Sequence, residues 1–317
     1  MRALVLIALV GLALSPHPRA ASIPARAPAQ GRERGHYSIV VDVDLVVFNV
    51  TVTDNRGRQV AGLKASDFQI REANRFQDIK LFAAESAPAT VGLVIDNSGS
   101  MQNKRANVVD AALAFAGASH PDDELFLLNF NERVSFGLPS STPFTSSFAA
   151  MRSALLSTRA DGMTALYDAL VAGIEHLKAG TRDRQVLVVL SDGGDNASRR
   201  SLDDVLGIAQ RSNATIYAIG IYDENNPDRN PRVLRRIADL SGGRAFFPQS
   251  LESMERAWRD IAGAIRSQYT IGYLSTNSSR DGAFRKVRIT AGRNGRRDLR
   301  VAARNGYFAP TDERRGQ

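Results

Sequence analysis

Residues 91–100 decide the architecture, and they read Val91-Gly92-Leu93-Val94-Ile95-Asp96-Asn97-Ser98-Gly99-Ser100. The first half is a continuous apolar run bounded by turn residues, which is typical of a strand buried on both faces of a parallel sheet. The second half is polar, and Gly99 permits a sharp turn there. The stretch therefore predicts a central strand that ends in an oxygen-rich loop.

After this strand, apolar patterns of strand and helix type alternate along the chain. The predicted helices are 106–118, 147–156, 165–177, 202–211, 232–240 and 251–266, and the predicted strands are 125–130, 186–190, 215–221 and 245–247. Repeated β-α alternation implies right-handed crossovers and a parallel sheet with helices on both faces. We expect one α/β domain over residues 89–266, with a Rossmann-like, mainly parallel central sheet.

Both flanks of this domain have the period-two pattern of strands. Predicted strands cover 39–52, 59–63, 68–72, 79–83, 269–274, 285–290 and 299–303. The buried phase changes between Val47 and Phe48, which predicts a bulge or a crossing between sheets. Asp281-Gly282 and Asn294-Gly295 are strong hairpin signals. Because neither flank has many strands, we expect 37–88 and 267–310 to pair into one small β-sandwich-like domain, followed by a flexible tail at 311–317.

The N-terminus has the pattern of an export signal. Arg2 precedes twelve apolar or small residues, 3–14, a run that is too short to span a bilayer. We predict a signal peptide over 1–29, cleaved before Gln30 or near Ala20, and a linker over 30–36. An uncleaved N-terminal anchor is the alternative. The mature protein is then exported, to the periplasm or outside the cell.

Composition narrows the chemistry. The chain has 317 residues and four histidines. It has no cysteine, and this excludes disulfides, thiolate zinc sites and thiol nucleophiles.

The positive charge is concentrated at one end of the chain. Removing residues 1–29 lowers the formal charge from +8 to +5. Nine basic residues cluster near the C-terminus: Arg280, Arg285, Lys286, Arg288, Arg293, Arg296, Arg297, Arg300 and Arg304. An exported chain rarely meets nucleic acid, so we expect no nucleic-acid partner. The cluster either contacts an anionic envelope surface or simply lines the solvent-exposed faces of its strands.

Oxygen-rich sequences occur at three loops that we expect at the carboxyl edge of the parallel sheet, where ligands bind in such folds. They are Asp96-x-Ser98-x-Ser100, Gly162-Met163-Thr164 and Ser191-Asp192-Gly193. Hydroxyls and carboxylates without imidazole or thiolate suit a hard cation such as Mg²⁺, Mn²⁺ or Ca²⁺. Each piece alone is more often a helix cap or a turn than a metal ligand. Their common position favours a metal site.

The order of these three motifs resembles the metal-ion-dependent adhesion site of von Willebrand factor type A (VWFA) domains. The resemblance covers about 89–266. It implies that Ser98, Ser100 and Thr164 ligate the ion through hydroxyls, and that Asp96 and Asp192 hold its waters or bind it directly. It also implies a protein partner that completes the coordination with a Glu or Asp side chain.

The flanks resemble those of bacterial, acidobacterial-type exported VWFA-related proteins. The matching motifs are Val50-Thr51-Val52-Thr53-Asp54-Asn55-Arg56-Gly57, Gly62-Leu63-x-x-x-Asp67-Phe68, Tyr269-x-Ile271-Gly272-Tyr273, Asp281-Gly282-x-Phe284-Arg285 and Arg304-Asn305-Gly306-Tyr307. The resemblance of the flanks concerns architecture. The resemblance to the adhesion site implies divalent-metal-dependent protein binding, of the adhesion type, rather than catalysis. It says nothing about the oligomeric state.

Two other functions are open. A metal-independent structural role in the envelope needs no ion at these loops. A Mg²⁺-dependent phosphohydrolase would use Asp96 and Asp192 beside the metal. Against the enzyme, the sequence lacks a second Asp in the first loop, a Gly-x-Ser-x-Gly elbow and a phosphate-binding Gly-rich loop with Lys-Ser/Thr.

Overall fold

The computed structural model describes residues 44–84, 86–221, 229–292 and 299–311. The chain divides into two compact units, 1–42 and 43–317, and every described residue belongs to the second. The predicted signal peptide (1–29) and linker (30–36) lie outside the described residues, as does nearly all of the predicted tail. The predicted domain limits stay predictions. Within the described part of the chain, no helix combines the length and apolar content needed to cross a membrane.

In the described part of the chain, strands and helices alternate in the middle, and strands predominate on both sides. The strands are β1 (Leu45–Thr53), β2 (Phe68–Glu72), β3 (Arg75–Gln77), β4 (Ile79–Ala83), β5 (Ala89–Asp96), β6 (Glu124–Phe130), β7 (Val134–Phe136), β8 (Arg184–Ser191), β9 (Thr215–Gly220), β10 (Ala245–Phe246), β11 (Tyr269–Leu274), β12 (Phe284–Ala291), β13 (Arg300–Ala302) and β14 (Gly306–Phe308). The α-helices are α1 (Arg105–Ala118), α2 (Phe148–Leu156), α3 (Leu166–Leu177), α4 (Leu202–Arg211), α5 (Pro231–Ser241) and α6 (Leu251–Arg266). Short 3₁₀ helices cover Ala65–Asp67 and Gly99–Lys104.

The central sheet has the strand order β10-β9-β8-β5-β6-β7. All its pairs are parallel except β6 with β7. Every residue of β5 is buried, as the apolar run predicts. Helices α1, α2 and α6 pack in the core on one face, and α3, α4 and α5 pack in the core on the other. Alternate residues of β5 serve the two cores: Leu93 and Ile95 belong to the first and Val94 to the second.

The flanking strands form two antiparallel sheets, with orders β13-β1-β11-β4 and β14-β12-β2-β3. Each sheet combines strands from before and after the α/β unit, since β1 pairs with β11 and β2 pairs with β12. Their shared core includes Phe48, Val50, Ile70, Ile271 and Tyr273. We call this unit the flanking β domain. The predicted fold class, α/β with a mainly parallel sheet plus a β-sandwich-like unit from both ends of the chain, is confirmed.

Several local predictions in the flanks are wrong. Residues 59–63 form no strand, and only Gln59 makes an isolated bridge, to Thr53. The predicted change of phase between Val47 and Phe48 is not seen in the described part of this strand, because Val46 is buried in phase with Phe48 and Val50. Residues 39–43 of the predicted strand lie outside the described residues. Strands β3 and β14 in the flanks, and β7 in the central sheet, are not among the predicted strands, because three residues are too few to show a period. The predicted turn at Asn294-Gly295 lies outside the described residues.

Candidate metal centre

The predicted site residues lie where the parallel strands end. Asp96 is the last residue of β5, and Asp192 follows the last residue of β8. These two strands are direct neighbours in the sheet, with Ile95 paired to Leu190. Both aspartates therefore reach the same edge of the sheet, although they are remote in sequence. Both are buried, as is Ser98.

The carboxylate of Asp96 holds the first and third loops together. Its Oδ1 accepts the backbone N–H of Ser98 at 2.9 Å, and its Oδ2 accepts the hydroxyl of Ser191 at 2.6 Å. Burial raises the pKa of Asp96 to about 6, although hydrogen bonds from Ser191 and Ser98 lower it; the nearby charge of Asp192 adds to the rise. A nearby cation is the kind of group that favours the charged form of such a carboxyl.

A row of oxygen atoms runs from the first loop to the third. The hydroxyls of Ser98 and Ser100 are 3.2 Å apart, and Ser100 donates its hydroxyl to Oδ2 of Asp192 at 2.7 Å. The other oxygen of Asp192, Oδ1, accepts the backbone N–H of Gly194 at 3.0 Å. Two hydroxyls and one carboxylate are thus collected from segments that are remote in sequence.

Backbone hydrogen bonds connect the loop that contains Thr164 to the other two loops. Gly99 donates its N–H to the carbonyl of Gly162 at 3.0 Å, which ties the first loop to the second. The N–H of Thr164 is accepted by Oδ1 of Asn196 at 2.8 Å, and its carbonyl accepts the N–H groups of Asn196 and Ala197. Thr164 is buried. All three loops are therefore connected directly.

This donor set suits a hard divalent cation, because hydroxyl and carboxylate oxygens are the ligands that Mg²⁺, Mn²⁺ and Ca²⁺ prefer. Across the described residues, no three His, Asp or Glu side chains group closely enough to hold a metal ion. A cation held here would therefore depend on hydroxyls such as those of Ser98 and Ser100 as much as on the two aspartates.

The described histidines lie away from these loops. His120 accepts the N–H of Asp122 through Nδ1, and Nε2 of His176 lies 3.3 Å from the carbonyl of Pro143. His36 lies outside the described residues.

Comparison with known proteins identifies the family. The model of the von Willebrand factor type A domain matches residues 91–259. The chain belongs to this family. An uncharacterized protein of Synechocystis sp. is 30% identical over 180 residues, which are 55% of this chain and 41% of that protein. A UPF0353 protein of Mycolicibacterium vanbaalenii is 27% identical over 223 residues, 60% of this chain and 66% of that protein. The chain thus spans less than two thirds of each of these relatives.

Solved structures show the same fold. A von Willebrand factor type A protein from Catenulispora acidiphila aligns with a TM-score of 0.50 at 14% identity, over 86% of this chain and 75% of that chain. Proximal thread matrix protein 1 of the mussel byssus also has a TM-score of 0.50, at 18% identity, over 62% of this chain and 51% of that chain. At these identities the likeness concerns the fold alone.

The VWFA domain contains supporting residues that the sequence analysis did not single out. Asn97 lies between two predicted site residues and donates to Oδ1 of Asn129 at 2.9 Å. Arg105, the first residue of α1, donates to Oδ1 of Asn97 and also to the carbonyl of Leu155 and the hydroxyl of Thr158. It therefore connects the first loop of the VWFA site to the segment that leads to Thr164. No local sequence pattern predicts this role of Arg105, because its partners are 8 to 53 residues away along the chain.

Proposed function

We propose that this VWFA protein is an exported, divalent-metal-dependent protein-binding module of the adhesion type. Ser98, Ser100 and Thr164 hold the cation through hydroxyls, and Asp96 and Asp192 hold its waters or bind it directly. The ion is Mg²⁺, with Mn²⁺ or Ca²⁺ as alternatives. A partner protein supplies an acidic side chain to the remaining coordination position, and nucleic acid is not a partner.

One observation carries this proposal: the row of oxygens formed by Ser98, Ser100 and Asp192. Buried Ser98 contributes only a hydroxyl, and Asp192 contributes a carboxylate that Ser100 contacts at 2.7 Å. The bound cation would supply electrostatic attraction for an anionic group, since few charged ligands leave it electrophilic. This is the chemistry of a receptor for a carboxylate.

The surface at the site suits a macromolecular partner. Ser100 and the neighbouring Met163 are exposed, so the loops form an open surface. A cavity of about 710 Å³ lies elsewhere, lined by residues such as Arg184 and Thr215 at the amino ends of β8 and β9. Small-molecule enzymes usually hold their substrates in such concave sites. The open position of the loops therefore favours binding over catalysis.

The test is thermal unfolding of the full chain with and without Mg²⁺ or Mn²⁺. An ion that binds only the folded state, present at a concentration of 100 times its Kd, stabilises the protein by about 2.7 kcal/mol. We expect metal to raise the melting temperature of the native protein. Ser98→Ala and Ser100→Ala should abolish this rise and leave the melting temperature in EDTA almost unchanged.

Ser119→Ala is the matched control. It also removes one serine hydroxyl, but that hydroxyl donates to the carbonyl of Phe115 at the end of α1 and belongs to none of the three loops. This variant should keep the full response to metal. An identical melting temperature of the native protein with metal and with EDTA would instead favour the metal-independent structural role. Metal-dependent turnover of phosphoesters that Asp96→Asn abolishes would favour the enzyme.

A second experiment addresses the partner. Capture from an envelope extract should retain a protein in Mg²⁺ and release it in EDTA. The Ser100→Ala variant should retain none of it. Capture that is equal in Mg²⁺ and EDTA would contradict metal-dependent binding.

A further inference from the structure

The outer face of the β14-β12-β2-β3 sheet combines positive charge with an exposed aromatic ring. Strand β12 points Val287 and Ile289 inward and exposes Lys286 and Arg288. Strand β2 alternates in the same way and exposes Arg71. We call the surface formed by Arg71, Phe76, Lys286 and Arg288 the cationic face.

The strand register brings these groups side by side. Arg288 lies directly opposite Arg71, and Arg71 lies directly opposite Phe76. The guanidinium of Arg71 is 4.0 Å from the centre of the Phe76 ring. Phe76 is 60% exposed, so much of its ring is accessible beside the arginines. The three residues therefore form one row across three strands.

Within the described residues, no carboxylate forms an ion pair with Arg71, Lys286 or Arg288. A groove beside Arg71 and Arg288 contains one carboxylate, that of Asp67, which accepts the backbone N–H of Lys64. Like charges directly opposite each other destabilise a sheet. The pairing of Arg71 with Arg288 therefore costs stability, and no ion pair among the described residues offsets it; the attraction that Arg71 gains on this face is its contact with the Phe76 ring.

We propose that the cationic face binds an anionic phospholipid surface. Its three cations are placed to meet several lipid phosphates at once, and the ring of Phe76 is available to enter the apolar boundary beneath them. Basic residues combined with an exposed aromatic ring are the arrangement by which proteins adhere peripherally to membranes. This inference does not depend on the metal site, because none of these residues belongs to it.

The experiment is co-sedimentation of the full chain with vesicles of phosphatidylcholine alone or with about 30% phosphatidylglycerol. The chain should prefer the anionic vesicles, and the preference should fall as salt rises, because surface charges are screened. The double variant Arg71→Gln/Arg288→Gln should lose roughly fivefold in partitioning per removed charge. Its melting temperature should stay close to that of the native chain, since relief of the like-charge pair offsets loss of the contact between Arg71 and the Phe76 ring.

Arg152→Gln/Arg232→Gln is the matched control, because both arginines are exposed on the α/β unit and their loss changes the net charge equally. This control should bind anionic vesicles almost as the native chain does. Equal losses in the two double variants would overturn the proposal, since net charge alone would then explain the binding. Equal binding of the native chain to neutral and anionic vesicles would also overturn it, and would assign the attachment to the apolar N-terminal segment.

Phe76→Trp provides a direct signal, because the only natural tryptophan, Trp258, is buried. The emission of the introduced indole should shift to the blue with anionic vesicles, and brominated lipid should quench it. No shift and no quenching would contradict insertion of this ring. Retention on immobilised poly-glutamate without binding to any vesicle would overturn the proposal and assign the face to an acidic protein.

Discussion

Gly193 shows why one residue beside the site cannot carry a side chain. It adopts φ of +82°, a conformation that strains L side chains. A Cβ atom there would lie 2.5 Å from the backbone carbonyl oxygen of Asn230. Asn230 in turn donates its N–H to the carbonyl of Asp192 at 2.9 Å. Both the backbone conformation and this close approach therefore require glycine directly after a predicted ligand.

We expect Gly193→Ala to lower the free energy of unfolding by about 1–3 kcal/mol, because it combines positive φ with a backbone clash. It should also weaken Mn²⁺ binding, because relief of the clash displaces Asp192. Urea unfolding and titration with Mn²⁺ measure the two effects. Gly62→Ala is the control, since Gly62 has φ of +73° and no atom within 4 Å of the added Cβ. It should cost about 1 kcal/mol and leave Mn²⁺ affinity unchanged; an equal loss of affinity would contradict this account.

At the scale of elements, the start of β6 depends on a single carboxylate. Glu124 accepts the N–H of Thr181 at 2.8 Å and the hydroxyls of Thr181 and Thr90 at 2.5 and 2.7 Å. Partial burial raises the pKa of Glu124. These hydrogen bonds and the charge of Arg182 lower it by more, so the pKa lies below its usual 4.5. The carboxylate thus connects three segments at the amino edge of the sheet.

Glu124→Gln should destabilise the protein by about 1 kcal/mol at pH 7, because charge-assisted hydrogen bonds are lost. A lowered pKa in the folded state means that this stability is present above the unfolded-state pKa and is lost as pH falls through the folded-state value. The difference between native and variant should therefore shrink below pH 4.5. Glu175→Gln, at an exposed pair with Lys178, should change little at either pH. A Glu124→Gln effect that does not vary with pH would count against the ionic origin.

At the scale of the whole molecule, the flanking β domain is held together by a buried polar cluster. Glu72 on β2 is 3.8 Å from the guanidinium of Arg285 on β12 and accepts the hydroxyls of Tyr273 and Tyr307. Burial and the carboxylate of Glu72 raise the pKa of Tyr273, which keeps its hydroxyl protonated as a donor. This cluster connects the strand segments that precede and follow the α/β unit.

Arg285→Met should lower the free energy of unfolding by on the order of 3 kcal/mol, because it leaves the buried charge of Glu72 without its cation. Arg288→Met is the control on the same strand, since Arg288 is exposed on the outer face. It should change stability by less than about 0.5 kcal/mol. Chemical denaturation of both variants checks the difference, and equal stabilities would contradict the role of the cluster.

Two of the nine basic residues that cluster near the C-terminus contact other segments of the chain. Arg285 is buried with Glu72, and Arg304 donates to Asn213 and to the carbonyl of Val47. These two are therefore structural and not available to an anionic surface. Arg71, by contrast, lies far away in sequence and joins the exposed basic residues of β12.

The sequence by itself determined the α/β alternation, the split of the β segments and the three loops that carry Asp96, Thr164 and Asp192. It could do so because strand and helix periods are local, and because parallel strands place their carboxyl ends at one edge. Only the tertiary structure decided that residues 59–63 form no strand, that Arg105 supports the first loop, and that Arg71 lies opposite Arg288. These features depend on contacts between residues remote in sequence, and a strand's own pattern specifies which face is buried but not which strand lies beside it.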